Sequence, residues 1–216
     1  FKQKTAYEIM PSLVGSEMCI RDRSYFNRRA CEGEGRMMKF EPFQTAEIPG
    51  PLKAIPIERP QTVAGIIKNA KRPIVIMGSK TFDIAPEKTL KDILEISKEV
   101  EAEVVVTGGI NKKFEEIGVK EFKSMPAMEL ADRLRDPEWK GFDGKGNYDL
   151  AIFVGFRYYY SWLILSGLKH FSPEGFKTLS IDPYYQPHAT FSLYNMKIDA
   201  WASYISSIKE SLKRKG

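Results

Sequence analysis

The residues best suited to chemistry stand just past the ends of short apolar runs: Gly78, Ser79, Lys80, Thr107, Gly108, Gly109, Gly155, Arg157 and Asp182. Glycines there let backbone N–H groups approach a phosphate, and the helix N-termini that follow add partial positive charge. Lys80 and Arg157 would neutralise a pyrophosphate, Arg157 through a rigid fork of donors. Asp182 is placed to accept a hydrogen bond from a ribose hydroxyl. These types therefore suggest nucleotide binding. Neither GxGxxG nor GxxxxGK[ST] occurs, however. A glycine after a strand is also an ordinary turn residue, so plain strand termination stands as the competing reading.

Other chemistries find less support. His170 falls near the end of a helix, where an imidazole satisfies terminal carbonyls. His188 lies in the loop sequence DPYYQPHAT, better placed for contact. Neither has a Ser or Cys nucleophile and a carboxylate arranged as a hydrolase needs. Cys19 and Cys31 both precede Met37, and no cysteine follows it. Zinc and iron–sulfur sites need closely spaced thiolates or imidazoles, so the expectation is no catalytic residue and no metal centre in this chain.

The elements that must hold the strand-end residues alternate in type. Val63, Ile66, Ile67 and Ala70 share one face of a helix over 61–71, and Ile74–Met77 is a short apolar run stopped by Gly78. A helix over 86–98 leads to a second strand, Val104–Val106, closed by Thr107–Gly109. Shorter helices follow over 111–117 and 126–135, then a glycine-rich excursion over 136–148. Asp149–Val154 is a third strand, 158–171 a helix with an apolar middle, and Lys177–Ile181 a further strand ending at Asp182. A last helix spans 200–213, with Asp199 as its N-cap. Continuous apolar strands alternating with helices predict one doubly wound, three-layer α/β/α domain with a parallel sheet, of Rossmann-like type. In such sheets ligands sit outside the carboxyl ends of the strands, where the residues named first all fall.

The domain expected is 60–216, preceded by a proline-rich extended lead-in over 37–59. Residues 1–36 are expected to be a non-native or disordered segment. Their first stretch, FKQKTAYEIMPSLVGSEMCIRDR, resembles translated sequencing-adapter text and lacks an amphipathic period. A net charge of +5 over 216 residues, with lysines scattered along helices, asks for no nucleic-acid partner. The longest apolar runs, such as Trp162–Leu165, are far below membrane-spanning length, so no membrane partner and a cytoplasmic location are expected. Tyr158, Tyr159 and Tyr160 point in directions about 100° apart on a helix and cannot share one core. Internal packing against the 183–195 loop and contact with a partner are both open to them.

A resemblance joins these observations. The stretch DPEWKGFDGKGNYDLAIFVGFRYYY (136–160), continued by LSGLKHFS (165–172) and TLSIDPYYQPHATFSLYN (178–195), resembles the epsilon, or beta-type, subunit of the archaeal acetyl-CoA decarbonylase/synthase complex. NAKRPIVIMGS (69–79) fits the same family, and the likeness covers about 60–213. It implies a fold of the type shared with deoxyhypusine synthase and the middle domain of thiamine-diphosphate enzymes. It also implies a non-catalytic subunit that binds the large alpha subunit of carbon monoxide dehydrogenase in an alpha2-epsilon2 component. Nickel–iron–sulfur centres belong to that partner only. The implied roles are stabilising the component and placing FAD for electron transfer during CO oxidation and acetyl-CoA cleavage or synthesis, FAD being the one candidate cofactor. An independent flavin- or nicotinamide-dependent oxidoreductase is the alternative from another class, and a packing remnant of a thiamine-enzyme domain is a third.

Overall fold

The computed structural model describes residues 53–119 and 121–213. The expected non-native segment, 1–36, and positions 37–52 of the lead-in lie outside them. Seven strands form one sheet: β1 (Ile55–Ile57), β2 (Pro73–Met77), β3 (Glu103–Val106), β4 (Lys123–Ser124), β5 (Leu150–Val154), β6 (Lys177–Ser180) and β7 (Phe191–Leu193). Their order is β1-β7-β6-β5-β2-β3-β4, and every neighbouring pair is parallel. The order reverses between β2 and β5, the position at which such sheets open a crevice.

β2 and β5 are buried along their whole length, which explains why PIVIM and LAIFV are continuously apolar rather than alternating. Successive side chains still divide between the faces. Val75, Met77, Ile152 and Val154 join one core, while Ile74, Ile76, Ala151 and Phe153 join the other. Burying one such side chain contributes about 1.5–3 kcal/mol, against about 1 kcal/mol net for a backbone hydrogen bond. Burial therefore decides which segments become the central strands.

Helices cover both faces, giving the expected three-layer arrangement. On the first lie α1 (Pro60–Asn69), α3 (Glu87–Glu99) and α7 (Ile198–Lys213), with the one-turn α2 (Thr81–Ile84) leading into α3. Pro60 starts α1, where its missing N–H costs nothing. α7 packs on α1 and α3. Its Trp201 is fully buried and donates from Nε1 to the Ile181 carbonyl at 2.6 Å. Asp92 of α3 is buried but paired with Lys209 and, at 2.6 Å, with Ser206 of α7. The second face carries α5 (Ala127–Arg135) and α6 (Tyr158–Phe171), and α4 (Asn111–Glu116) follows β3.

Several local expectations shift. Residues 55–57 of the lead-in form β1 and pair with β7, which lies in the stretch read as a loop. β4 is a two-residue edge strand with no apolar pattern to reveal it. Asp199 sits inside the first turn of α7 rather than at its N-cap, because the helix already begins at Ile198. The glycine-rich excursion is tied back to the sheet: Arg72 reaches the Gly146 carbonyl and Asp143, and Asp149 accepts the Lys71 and Arg72 N–H groups at 2.7 and 2.9 Å.

Candidate functional site

The carboxyl ends of β2, β3 and β5 are stitched together by their own backbone. Gly78 N–H donates to Val154 O and Lys80 N–H to Gly155 O, both at 2.8 Å. Thr107 donates to Met77 O from its N–H at 2.9 Å and from its Oγ1 at 3.0 Å. The loops after β2 and β5 therefore lie one on the other, and this explains two of the glycines. A Cβ at Gly78 would collide with the Gly155 carbonyl, and one at Gly155 with Thr81. Gly155 also holds φ at 75°, a conformation that L side chains rarely adopt. The crevice at the switch between β2 and β5 is thus filled by the protein itself.

An opening lies one strand over. A cavity of about 340 Å³ is lined by Ser79, Thr107, Gly108, Gly109, Asn111 and Ser124, with Phe156 and Tyr160 as its aromatic wall. Four of the sequence-derived residues, Ser79, Thr107, Gly108 and Gly109, are brought together there. The other five do not line it. Gly78 and Gly155 serve loop packing, and Lys80 pairs with Asp83 at 2.6 Å, holding that carboxyl below its usual range. Arg157 is exposed, with Tyr159 Oη 3.3 Å from its guanidinium. Asp182 is buried. Asn111 and Ser124 were missed by sequence reasoning: Asn111 reads as an ordinary helix start, and Ser124 lies on the unrecognised β4. A wider groove of about 840 Å³ lies between the end of α3 and the Phe122–Lys123 edge, away from these strand ends.

A second polar region lies beneath α6. Thr178, Ser180 and Asp182 alternate along and just past β6, and Thr190 and Ser192 just before and within β7, on the face shared with Ala151 and Phe153. Some of these pair: Thr178 and Thr190 exchange backbone and side-chain hydrogen bonds, and Ser192 Oγ accepts from Gln186 N–H at 2.9 Å. Others do not. Among the described residues Ser161 Oγ, Ser180 Oγ, Asp182 Oδ2, Gln186 Oε1 and both ring nitrogens of His188 have no hydrogen-bond partner. Asp182 Oδ1 accepts from Gly155 N–H at 2.6 Å. Burial pushes its carboxyl up to about 7 even though the Gly155 and Phe156 N–H groups pull it down.

This region corrects two expectations. His188 is not offered for contact: it is 4% exposed, its ring meets Trp162 edge-on at 4.6 Å, and burial holds its imidazole below the ordinary value. Asp182, facing inward on a closed region, is not presented to a ribose. The tyrosines divide in the same way. Tyr185 closes the core with its hydroxyl on the Ala54 carbonyl at 2.7 Å, whereas Tyr159 and Tyr184 face solvent. No described helix is long and apolar enough to cross a membrane.

Comparison with known proteins follows the motifs. The family profile of the CO dehydrogenase beta subunit/acetyl-CoA synthase epsilon subunit matches residues 36–210. Acetyl-CoA decarbonylase/synthase complex subunit epsilon 1 of Archaeoglobus fulgidus is 39% identical over 155 residues, 71% of this chain and 81% of that protein. Subunit epsilon of the same complex from Methanothermobacter thermautotrophicus is 33% identical over 167 residues, 77% and 93% of the two chains. Subunit epsilon 1 from Methanosarcina barkeri is 37% identical over 145 residues, 67% and 82%.

Proposed function

Because the chain belongs to the CO dehydrogenase beta subunit/acetyl-CoA synthase epsilon subunit family, we propose that it is a cytoplasmic assembly subunit of an acetyl-CoA decarbonylase/synthase complex. In this reading it binds the large, nickel–iron–sulfur alpha subunit of carbon monoxide dehydrogenase in an alpha2-epsilon2 component and stabilises it during CO oxidation and acetyl-CoA cleavage or synthesis. The observation that carries the reading is the family match, whose relatives are named as subunits of that complex.

FAD is the cofactor proposed for the strand-end cavity. At about 340 Å³ the cavity lies at the small end of ligand sites, roughly 300–1,000 Å³. It fits one nucleotide half of a dinucleotide rather than the whole. Ser79 and Ser124 bring hydroxyls for phosphate and sugar oxygens, Asn111 Nδ2 donates to Ser124 Oγ at 2.7 Å, and Gly108 and Gly109 leave the floor free of side chains. Phe156 and Tyr160 supply an apolar wall for a ring. When bound, FAD would supply electron-transfer chemistry; the chain's own residues hold and orient it.

Stabilisation is tested by heating the large subunit with and without this chain and following CO oxidation by a dye. The chain is expected to lengthen the half-life of the activity several-fold. An unchanged half-life at saturating chain would remove the stabilising role.

A further inference from the structure

α6 turns an apolar row to solvent. Tyr159, Leu163 and Phe171 are 65%, 56% and 67% exposed. Their spacing keeps them on one face, within about 120° of the helix circumference. The position that would complete the row, one turn past Leu163, is Gly167. Glycine weakens a helix interior relative to alanine, and nothing among the described residues requires it there. A methyl group added at 167 would meet no atom within 4 Å, and Gly167 is not among the positive-φ residues. What glycine does provide is a notch between Leu163 and Phe171 where the backbone of another molecule can come close.

The charges carried by α6 and its N-cap share one sign. α6 contains no Asp or Glu. Arg157 stands at its N-cap, Lys169 and His170 in its last turn, and the Arg135 guanidinium lies 5.7 Å from the Phe171 ring. On the neighbouring helix Asp132 and Glu129 pair with Arg135 and Arg133 at 2.5 and 3.8 Å, so Arg135 brings no net charge to the row. A second copy meeting this face with the same face would bring two further cations, Arg157 and Lys169, and no acid from α6 to answer them. The complementary surface is an apolar ridge with an acidic rim.

We propose that the solvent face of α6 is the docking surface for the large subunit of the complex. The partner's apolar ridge seats between Leu163 and Phe171 over Gly167, and its acidic side chains face Arg157 and the end of the helix. This assignment rests on the assembly reading above. It gives Gly167→Ala two effects of opposite sign. The variant should melt about 2 °C higher, since a helix gains propensity without a clash, yet bind the large subunit about tenfold more weakly because the notch is filled. A residue that merely stabilised the chain could not produce that pair.

The test measures affinity of the full-length chain for the purified large subunit, with melting recorded for every variant. Gly65→Ala is the control: Gly65 lies within α1, on the other side of the sheet, and a methyl group there also meets nothing within 4 Å. Gly65→Ala should raise the melting point and leave affinity unchanged, while Leu163→Asp should keep the fold and weaken binding about thirtyfold or more. Parent-like affinity in both Gly167→Ala and Leu163→Asp would overturn the docking face while leaving the assembly reading standing. No binding by the parent chain would overturn both. A dimer of the chain alone, broken by Leu163→Asp, would assign the face to a second copy instead and overturn the proposal.

Discussion

Asp182 and His188 are titratable groups that the fold encloses, and they bias stability in opposite directions. Burial raises the Asp182 carboxyl from 3.8 to about 7, so the folded chain keeps a proton that the unfolded chain has released. Stability tied to that proton is complete below the unfolded value and is lost as pH rises through about 7. Burial lowers the His188 imidazole from 6.5, so its contribution is complete above 6.5 and is lost as pH falls. Two chains that both keep His188 share its contribution, so comparing them isolates Asp182. Asp182→Asn keeps an oxygen for Gly155 N–H and cannot ionise. Its advantage over the parent should therefore grow between about pH 4 and 7, by at most about 1.4 kcal/mol per pH unit, and level off above about 7. Thermal unfolding of both proteins across that range checks this, and parallel profiles would show that Asp182 is charged throughout.

At the scale of elements, the two-sided burial of β2 and β5 and the amphipathic periods of α1, α3, α5 and α7 were legible as patterns of residue type. β1, β4 and β7 were not, for physical reasons. β1 contains Pro56, β4 has two exposed residues, and β7 carries Ser192 inward between two apolar neighbours. The candidate site was legible as a place but less so in its parts. Gly78 and Gly155 are glycines because two loops touch, a contact between segments far apart in sequence that no local pattern records. Ser192 helped to hide β7, which an unbroken apolar run would have announced. What remains of the site is the cavity between the tips of β2, β3 and β4, and it can be tested by filling it. Ser124 is exposed on the edge strand and tolerates a larger side chain without disturbing the core. FAD titrated into the parent, with its fluorescence followed, should show saturable binding that Ser124→Tyr weakens about tenfold or more. Equal binding in both would place any flavin elsewhere.

For the whole molecule, the three-layer fold and the family match describe a chain whose relatives are named as parts of a larger assembly. Its two faces of helices differ. α7 fills the groove between α1 and α3, whereas α6 leaves Tyr159, Leu163 and Phe171 uncovered beside basic residues. That asymmetry suits a subunit docked by one side. The central claim is association with the large carbon monoxide dehydrogenase subunit, and sedimentation velocity of the two purified proteins, alone and mixed at micromolar concentration, tests it most directly. The account predicts that the mixture sediments as one faster boundary containing equal numbers of the two chains, with a mass fitting two of each. Two boundaries unchanged from the separate proteins would contradict it.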